Sequence, residues 1–155
     1  MAEKTWPTNG IQLGHVALRV RDVARTAEFY SEVLGLDIKR KGVVSFLGKR
    51  ADASHELALM PLPADAQDPD PKRVGMYHMA WEMSSFEELE RLHNRLIASG
   101  TKIAGYSESK NSANVMFFDP EGNELEAIWE LNAEQMAEFK AAGKEVPQLP
   151  RVDLA

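Results

Sequence analysis

Three side chains spread along this chain could together hold a divalent metal: His15, His78 and Glu126. Neutral imidazole and carboxylate are donors that Fe(II), Mn(II), Ni(II) and Zn(II) accept. Two histidines plus one carboxylate leave open positions where a substrate and a small molecule such as O2 can bind side by side. The histidines share a local context. Residues 14–20 read Gly-His-Val-Ala-Leu-Arg-Val and residues 77–83 read Tyr-His-Met-Ala-Trp-Glu-Met. Both contain His-x-Ala and both alternate like a half-buried strand. A single strand histidine is most often a surface or satisfied core residue; two at the same position of two similar segments read as a matched pair. Glu126 sits between Leu125 and Ala127 on Glu124-Leu-Glu-Ala-Ile-Trp-Glu130. A carboxylate among apolar neighbours is costly unless something pairs with it. A solvated edge strand carrying three glutamates is the competing explanation.

The elements that must position these residues repeat as well. Asp22 is a plausible N-cap for a helix whose Val23, Ala27, Tyr30 and Leu34 share a face, and Gly35 can end it in the left-handed conformation. In the second half Ser85-Phe-Glu-Glu88 is a capping-box pattern; Phe86, Leu89, Leu92 and Leu96 form the stripe, and Gly100 closes the helix. His93, in mid-helix, reads as a surface residue. Strand-like runs follow near 43–47 and 55–60 in the first half, and near 101–105, 113–118 and 124–130 in the second. Asp119-Pro-Glu-Gly-Asn123 is a tight turn by composition. The proline-rich stretch Pro61–Pro71 reads as an exposed linker. The expected organisation is one domain over 1–155, with βαβββ modules at 11–62 and 75–131. A C-terminal helix and tail occupy 132–155: the helix near 133–142 with Asn132 as its cap, then a tail from Val146 to Ala155.

Bulk properties limit the function. The chain has 155 residues, enough for a sizeable core, with 44% apolar and 27% charged residues. Lys and Arg total 18 against 24 Asp and Glu, a net charge of −6. That balance argues against nucleic-acid or anionic-membrane partners. There are no cysteines, so disulfides and zinc–thiolate sites are excluded. The first residues hold no signal-peptide run and no stretch approaches membrane-span length, so the expected location is the cytoplasm.

At these residues the chain resembles the vicinal oxygen chelate superfamily, which includes glyoxalase I, fosfomycin-resistance thiol transferases, bleomycin-resistance proteins and extradiol dioxygenases. The resemblance covers roughly residues 11–131. It rests on the two histidine segments, on Ala27-Glu-Phe-Tyr-Ser-Glu-Val-Leu-Gly-Leu36 and on Phe118-Asp-Pro-Glu-Gly-Asn-Glu-Leu-Glu126. It implies an α+β fold in which two βαβββ modules form an incompletely closed, eight-stranded mixed barrel around a metal. His15, His78 and Glu126 match the metal ligands. It also implies a homodimer.

Within the superfamily, Ser54-His55-Glu56-Leu57-Ala58-Leu59 looks like the His-x-Leu-Ala-Leu stretch of extradiol dioxygenases. There the matching histidine, His55 here, is an acid/base beside the metal. A near-neutral imidazole suits proton transfer between a catechol and oxygen. This branch implies Fe(II), with Mn, Ni or Zn as alternatives, and an aromatic diol and O2 as substrates. Two departures stand out. A tyrosine is usual ten positions before the metal-binding glutamate, where this chain has Met116. A histidine is expected near 107–110, where it reads Ser107-Glu-Ser-Lys110; Tyr77, Tyr106 or Lys110 would have to substitute. Glu56 supports a glyoxalase I-type alternative, since by sequence position it resembles that enzyme's fourth ligand. Adjacent strand residues face opposite ways, so either His55 or Glu56 faces the site. A metal-free, bleomycin-resistance-type binder is the third alternative. The matched His/His/Glu set argues against it.

Overall fold

The computed structural model describes residues 10–107 and 109–154. The N-terminal residues read for a signal peptide, Glu108 of the 107–110 stretch and Ala155 lie outside the described residues. The chain divides into two compact units, Met1–Gln67 and Asp68–Ala155, and the boundary falls inside the proline-rich stretch. Each unit is α+β and built on the same plan, as the repeat predicts.

The first unit runs β1 (Val16–Val20), α1 (Val23–Leu34), β2 (Asp37–Arg40), β3 (Ser45–Gly48) and β4 (Leu57–Pro61). Its sheet order is β1-β4-β3-β2, with β1 parallel to β4 and the other pairs antiparallel. Leu18, Val20, Leu47, Leu57 and Leu59 alternate onto one buried face. Burying each leucine contributes about 2 kcal/mol. The Asp22 side chain accepts from the Arg25 amide at 3.0 Å and caps α1, and Gly35 ends it at φ 72°. The buried stripe of α1 is Thr26, Ala27, Tyr30 and Val33, rotated from the expected one; Val23 and Leu34 are only half-buried. Thr26 can go inside because its hydroxyl donates to the Asp22 carbonyl at 2.7 Å.

The second unit repeats this order: β5 (His78–Glu82), α2 (Phe86–Ala98), β6 (Ile103–Gly105), β7 (Ser112–Phe118) and β8 (Glu124–Glu130). Its sheet order is β5-β8-β7-β6, again with a parallel β5–β8 pair. The Asp119 carboxylate ties the β7–β8 turn by accepting from the amides of Glu121 and Asn123, both at 2.9 Å. Ser85 caps α2, but Glu88 pairs with Arg91 instead of returning to the cap. Leu89, Leu92 and Leu96 pack inward, and so does His93, which is fully buried. The surface reading of His93 is therefore corrected. It lies four residues after Leu89 and three before Leu96, on the inward face. Its Nε2 is 2.8 Å from the Tyr106 hydroxyl.

Helix α3 (Ala133–Ala141) follows, with a full capping box between Asn132 and Gln135. The segment after it is no loose tail. Leu149 is buried, Gln148 Nε2 donates to the Ser112 carbonyl at 3.2 Å, and the Val152 amide donates to the Tyr106 hydroxyl at 3.4 Å. Among the described residues, no helix is long and apolar enough to cross a membrane.

Candidate functional site

In the second unit, α2 covers one sheet face with Leu89, Leu92 and Leu96 against Leu125 and Ala127. His78, Glu126, Asn114 and Met116 alternate onto the other face. The β5–β8 register sets His78 beside Glu124 and Ala80 beside Glu126, so His78 and Glu126 are diagonal neighbours. Their side chains converge: His78 Nε2 stands 3.2 Å from Glu126 Oε2, and Glu126 is only 13% exposed. The second carboxylate oxygen, Oε1, accepts from Asn114 Nδ2 at 2.5 Å. Asn114 is itself locked by Ser107, whose hydroxyl accepts from Asn114 Nδ2 and whose amide donates to Asn114 Oδ1 at 2.8 Å. The carboxylate is thus fixed from one side and offers Oε2 to the histidine.

Sequence reasoning missed Asn114. Its signal is a polar residue at the alternate position of an otherwise apolar strand, two residues before Met116. Met116 pairs directly with Glu126 across β7–β8. The position ten before the glutamate therefore does stand next to it, and holds a thioether that cannot donate a hydrogen bond. Of the three named substitutes, Tyr77 is 74% exposed with its ring 4.8 Å from that of His78. Tyr106 is engaged by His93, and Lys110 is exposed.

In the first unit, His15 precedes β1 on the face opposite the core. Its ring centroid is 4.5 Å from that of His55, and His55 also packs edge-on against Phe46 at 4.7 Å. Ser54 Oγ is 2.9 Å from His55 Nδ1. Glu56 faces elsewhere. Its Oε2 accepts from the amides of Lys49 and Arg50 at 2.6 and 2.9 Å, closing the loop that follows β3. The structure thus places His55, not Glu56, beside His15. The register corrects the positional likeness of Glu56 too. Ala17 pairs with Ala58 as Ala80 pairs with Glu126, so the residue that stands to His15 as Glu126 stands to His78 is Ala58.

Two donors that share a metal at right-angled positions, each about 2.1 Å from it, stand about 3 Å apart. The 3.2 Å between His78 Nε2 and Glu126 Oε2 fits that requirement. Among the described residues, no cluster of three or more His, Cys, Asp or Glu side chains is gathered for a metal.

Comparison with known proteins agrees with the fold. The chain is 29% identical over 118 residues to a catechol-2,3-dioxygenase of Bacillus subtilis (strain 168), a match covering 74% of this chain and 40% of that protein. The chain thus spans well under half of that relative. A glyoxylase/bleomycin resistance protein/dioxygenase domain from Frankia sp. EAN1pec superposes with a TM-score of 0.65 at 22% identity, covering 83% of this chain and 98% of that one. The lactoylglutathione lyase of Agrobacterium tumefaciens superposes with a TM-score of 0.60 at 21% identity, covering 79% and 94%. The sequence model of one family matches residues 12–127, spanning both histidine segments and Glu126: this chain belongs to the Glyoxalase/Bleomycin resistance protein/Dioxygenase superfamily.

Proposed function

We propose that this protein is an extradiol-type dioxygenase that cleaves a catechol-like ring with O2. His15, His78 and Glu126 would hold one divalent metal, Fe(II) in this reading. The observation that carries the proposal is the pairing of His55 with His15, rings 4.5 Å apart, while Glu56 is occupied by two backbone amides. A glyoxalase-type site with a fourth carboxylate needs an acidic residue where this chain has Ala58. The likeness to a catechol-2,3-dioxygenase supports the same choice.

The metal would supply Lewis acidity and a route for electrons between diol and oxygen. The chain's own residues do the rest. Glu126 keeps one oxygen on Asn114, which fixes its rotamer and leaves the other oxygen facing His78. In the tautomer where His55 Nδ1–H donates to Ser54 Oγ, Nε2 is the free base. His55 then takes a proton from the diol and returns it to the product. Phe46 packed on the ring limits its rotation. The overall reaction balances without a reductant. The carbon–carbon bond beside the diol breaks, and both atoms of O2 enter the product as an aldehyde or ketone oxygen and a carboxylate oxygen.

The test is an anaerobically Fe(II)-loaded sample mixed with a catechol panel, following oxygen uptake and the yellow ring-fission product. His78→Ala should lose metal by elemental analysis; His55→Ala should keep metal and lose turnover. Turnover of a methylglyoxal hemithioacetal with Ni(II) or Zn(II), and of no catechol, would replace this reading with the glyoxalase-type one. A homodimer is part of the proposal; light scattering that gives a monomer at micromolar concentration would remove it.

A further inference from the structure

Behind Asn114 the second unit carries a cavity of about 690 Å³, within the range of small-molecule sites. One wall is the Asn114–Tyr106 side of the sheet; the others are α3 and the segment after it. Among the described residues, four cationic side chains line it, Lys110, Lys140, Lys144 and Arg151, with Glu145 as the lining carboxylate. This concentration of positive charge stands out on a chain whose net charge is −6. Met136 and Leu149 supply apolar lining, so the cavity suits a molecule with an apolar body and an anionic end.

Its polar wall is built, not incidental. Asn114 is 5% exposed and holds Glu126 from the far side. The Tyr106 hydroxyl is approached by His93 Nε2 at 2.8 Å and by the Val152 amide at 3.4 Å. In the tautomer where His93 Nε2–H donates, as the Val152 amide does, the phenol oxygen accepts both bonds. Its own proton is then free to point into the cavity. Most of the lining, from Met136 to Arg151, lies beyond residue 127, where the match to the superfamily ends.

We infer that this cavity is a subsite for the anionic group, a carboxylate or phosphate, of a small apolar-bodied substrate. Lys110, Lys140, Lys144 and Arg151 supply the charge, and the Tyr106 hydroxyl supplies a directed donor. The inference rests on the proposed function only in making that anion part of the molecule acted on beside Glu126. Recognition is by charge against a partly desolvated group, so it weakens with salt and discriminates strongly against a neutral isostere.

Binding is tested without turnover, by calorimetric titration with benzoate, phenyl phosphate and the uncharged benzamide. At least one anion should bind about tenfold or more tighter than benzamide. Whichever of the two binds tighter identifies the group as carboxylate or phosphate. Lys140→Gln/Lys144→Gln should lose about tenfold in that anion's affinity, the product of two charge contacts of about threefold each. Lys39→Gln/Lys41→Gln in the first unit, which removes equal charge, should not. Tyr106→Phe should weaken the anion and leave benzamide unchanged. Equal affinity for the anions and benzamide, or an unaltered double lysine variant, would overturn the inference. Turnover separates it from the proposed function. Catechol cleaved without a gain in kcat/KM from an added carboxylate or phosphate sinks the subsite alone. Anion binding as expected with no catechol consuming oxygen sinks the dioxygenase reading alone.

Discussion

Asn114→Asp is close to isosteric, yet it should be more damaging than Asn114→Ala. In the native protein Asn114 Nδ2 donates to Glu126 Oε1 at 2.5 Å and to the Ser107 hydroxyl, while its Oδ1 accepts from the Ser107 amide. Alanine deletes these bonds. One charge-assisted bond and two neutral ones amount to about 2–4 kcal/mol, allowing for relaxation. Aspartate keeps its acceptor for Ser107 but turns the Glu126 contact into two carboxylates at about 3 Å. At an effective dielectric of about 20 that repulsion is about 5 kcal/mol. With Glu126 only 13% exposed, screening removes a part of it, leaving a net excess over alanine of about 1–2 kcal/mol. The repulsion exists only while both groups are ionised, so the excess should shrink as pH falls. Urea unfolding of both variants at pH 7.5 and 4.5, with EDTA throughout, reads this directly. An aspartate variant at least as stable as the alanine variant at pH 7.5 would refute the contact. So would a difference between them that ignores pH.

Further outcomes follow from other contacts. Burial holds the His93 imidazole below the usual histidine range, with Glu90 opposing. The unfolded chain therefore takes up the proton first, so stability is full above about pH 6.5 and falls as pH drops below it. His93→Gln should flatten that limb of the urea-midpoint profile, and an unchanged slope between pH 5 and 7 would count against it. Glu56→Ala removes the partner of the Lys49 and Arg50 amides and should cost about 1–3 kcal/mol while leaving metal content unchanged; metal loss would make Glu56 a ligand. Leu149→Ala should cost about 2–3 kcal/mol and expose the last residues to limited proteolysis. Equal protease resistance would mean that Leu149 does not anchor them.

What the sequence made legible was whatever depends on local periodicity. Gly35 after an apolar stripe marked the end of α1, and the alternation around His15 and His78 marked two equivalent strands. The spacing from His78 to Glu126 was readable because both lie in segments with strong turn and strand signals. The Asn114 contact was not readable, since it depends on which β7 residue lies across from which β8 residue, and register is a long-range property. His93 was misread for a different reason. Its polarity outweighed its position between Leu89 and Leu96, and only the Tyr106 hydroxyl, thirteen residues away, explains why a histidine tolerates that place. The docked segment after α3 carries no periodic pattern; it is held by Leu149, by the Gln148 side chain on the Ser112 carbonyl and by the Val152 amide on the Tyr106 hydroxyl.

The two units also show how one repeated plan diverges around its two histidines. His15 lies just before β1 and His78 opens β5, and each parallel partner strand offers the position diagonal to its histidine. In the second unit that position is Glu126; in the first it is Ala58, 4% exposed between Leu57 and Leu59. A second carboxylate there would be buried at a place now 4% exposed, whereas Glu126 is held by Asn114. The first unit instead spends its nearby acid, Glu56, on two loop amides and turns His55 toward His15. Duplication thus keeps the neutral donor twice and the anionic donor once. The proposed two-histidine, one-carboxylate set would leave three of six positions open, two for a diol and one for O2, and a fourth protein donor would close one of them. On that proposal the alanine at residue 58 matters as much as the glutamate at residue 126.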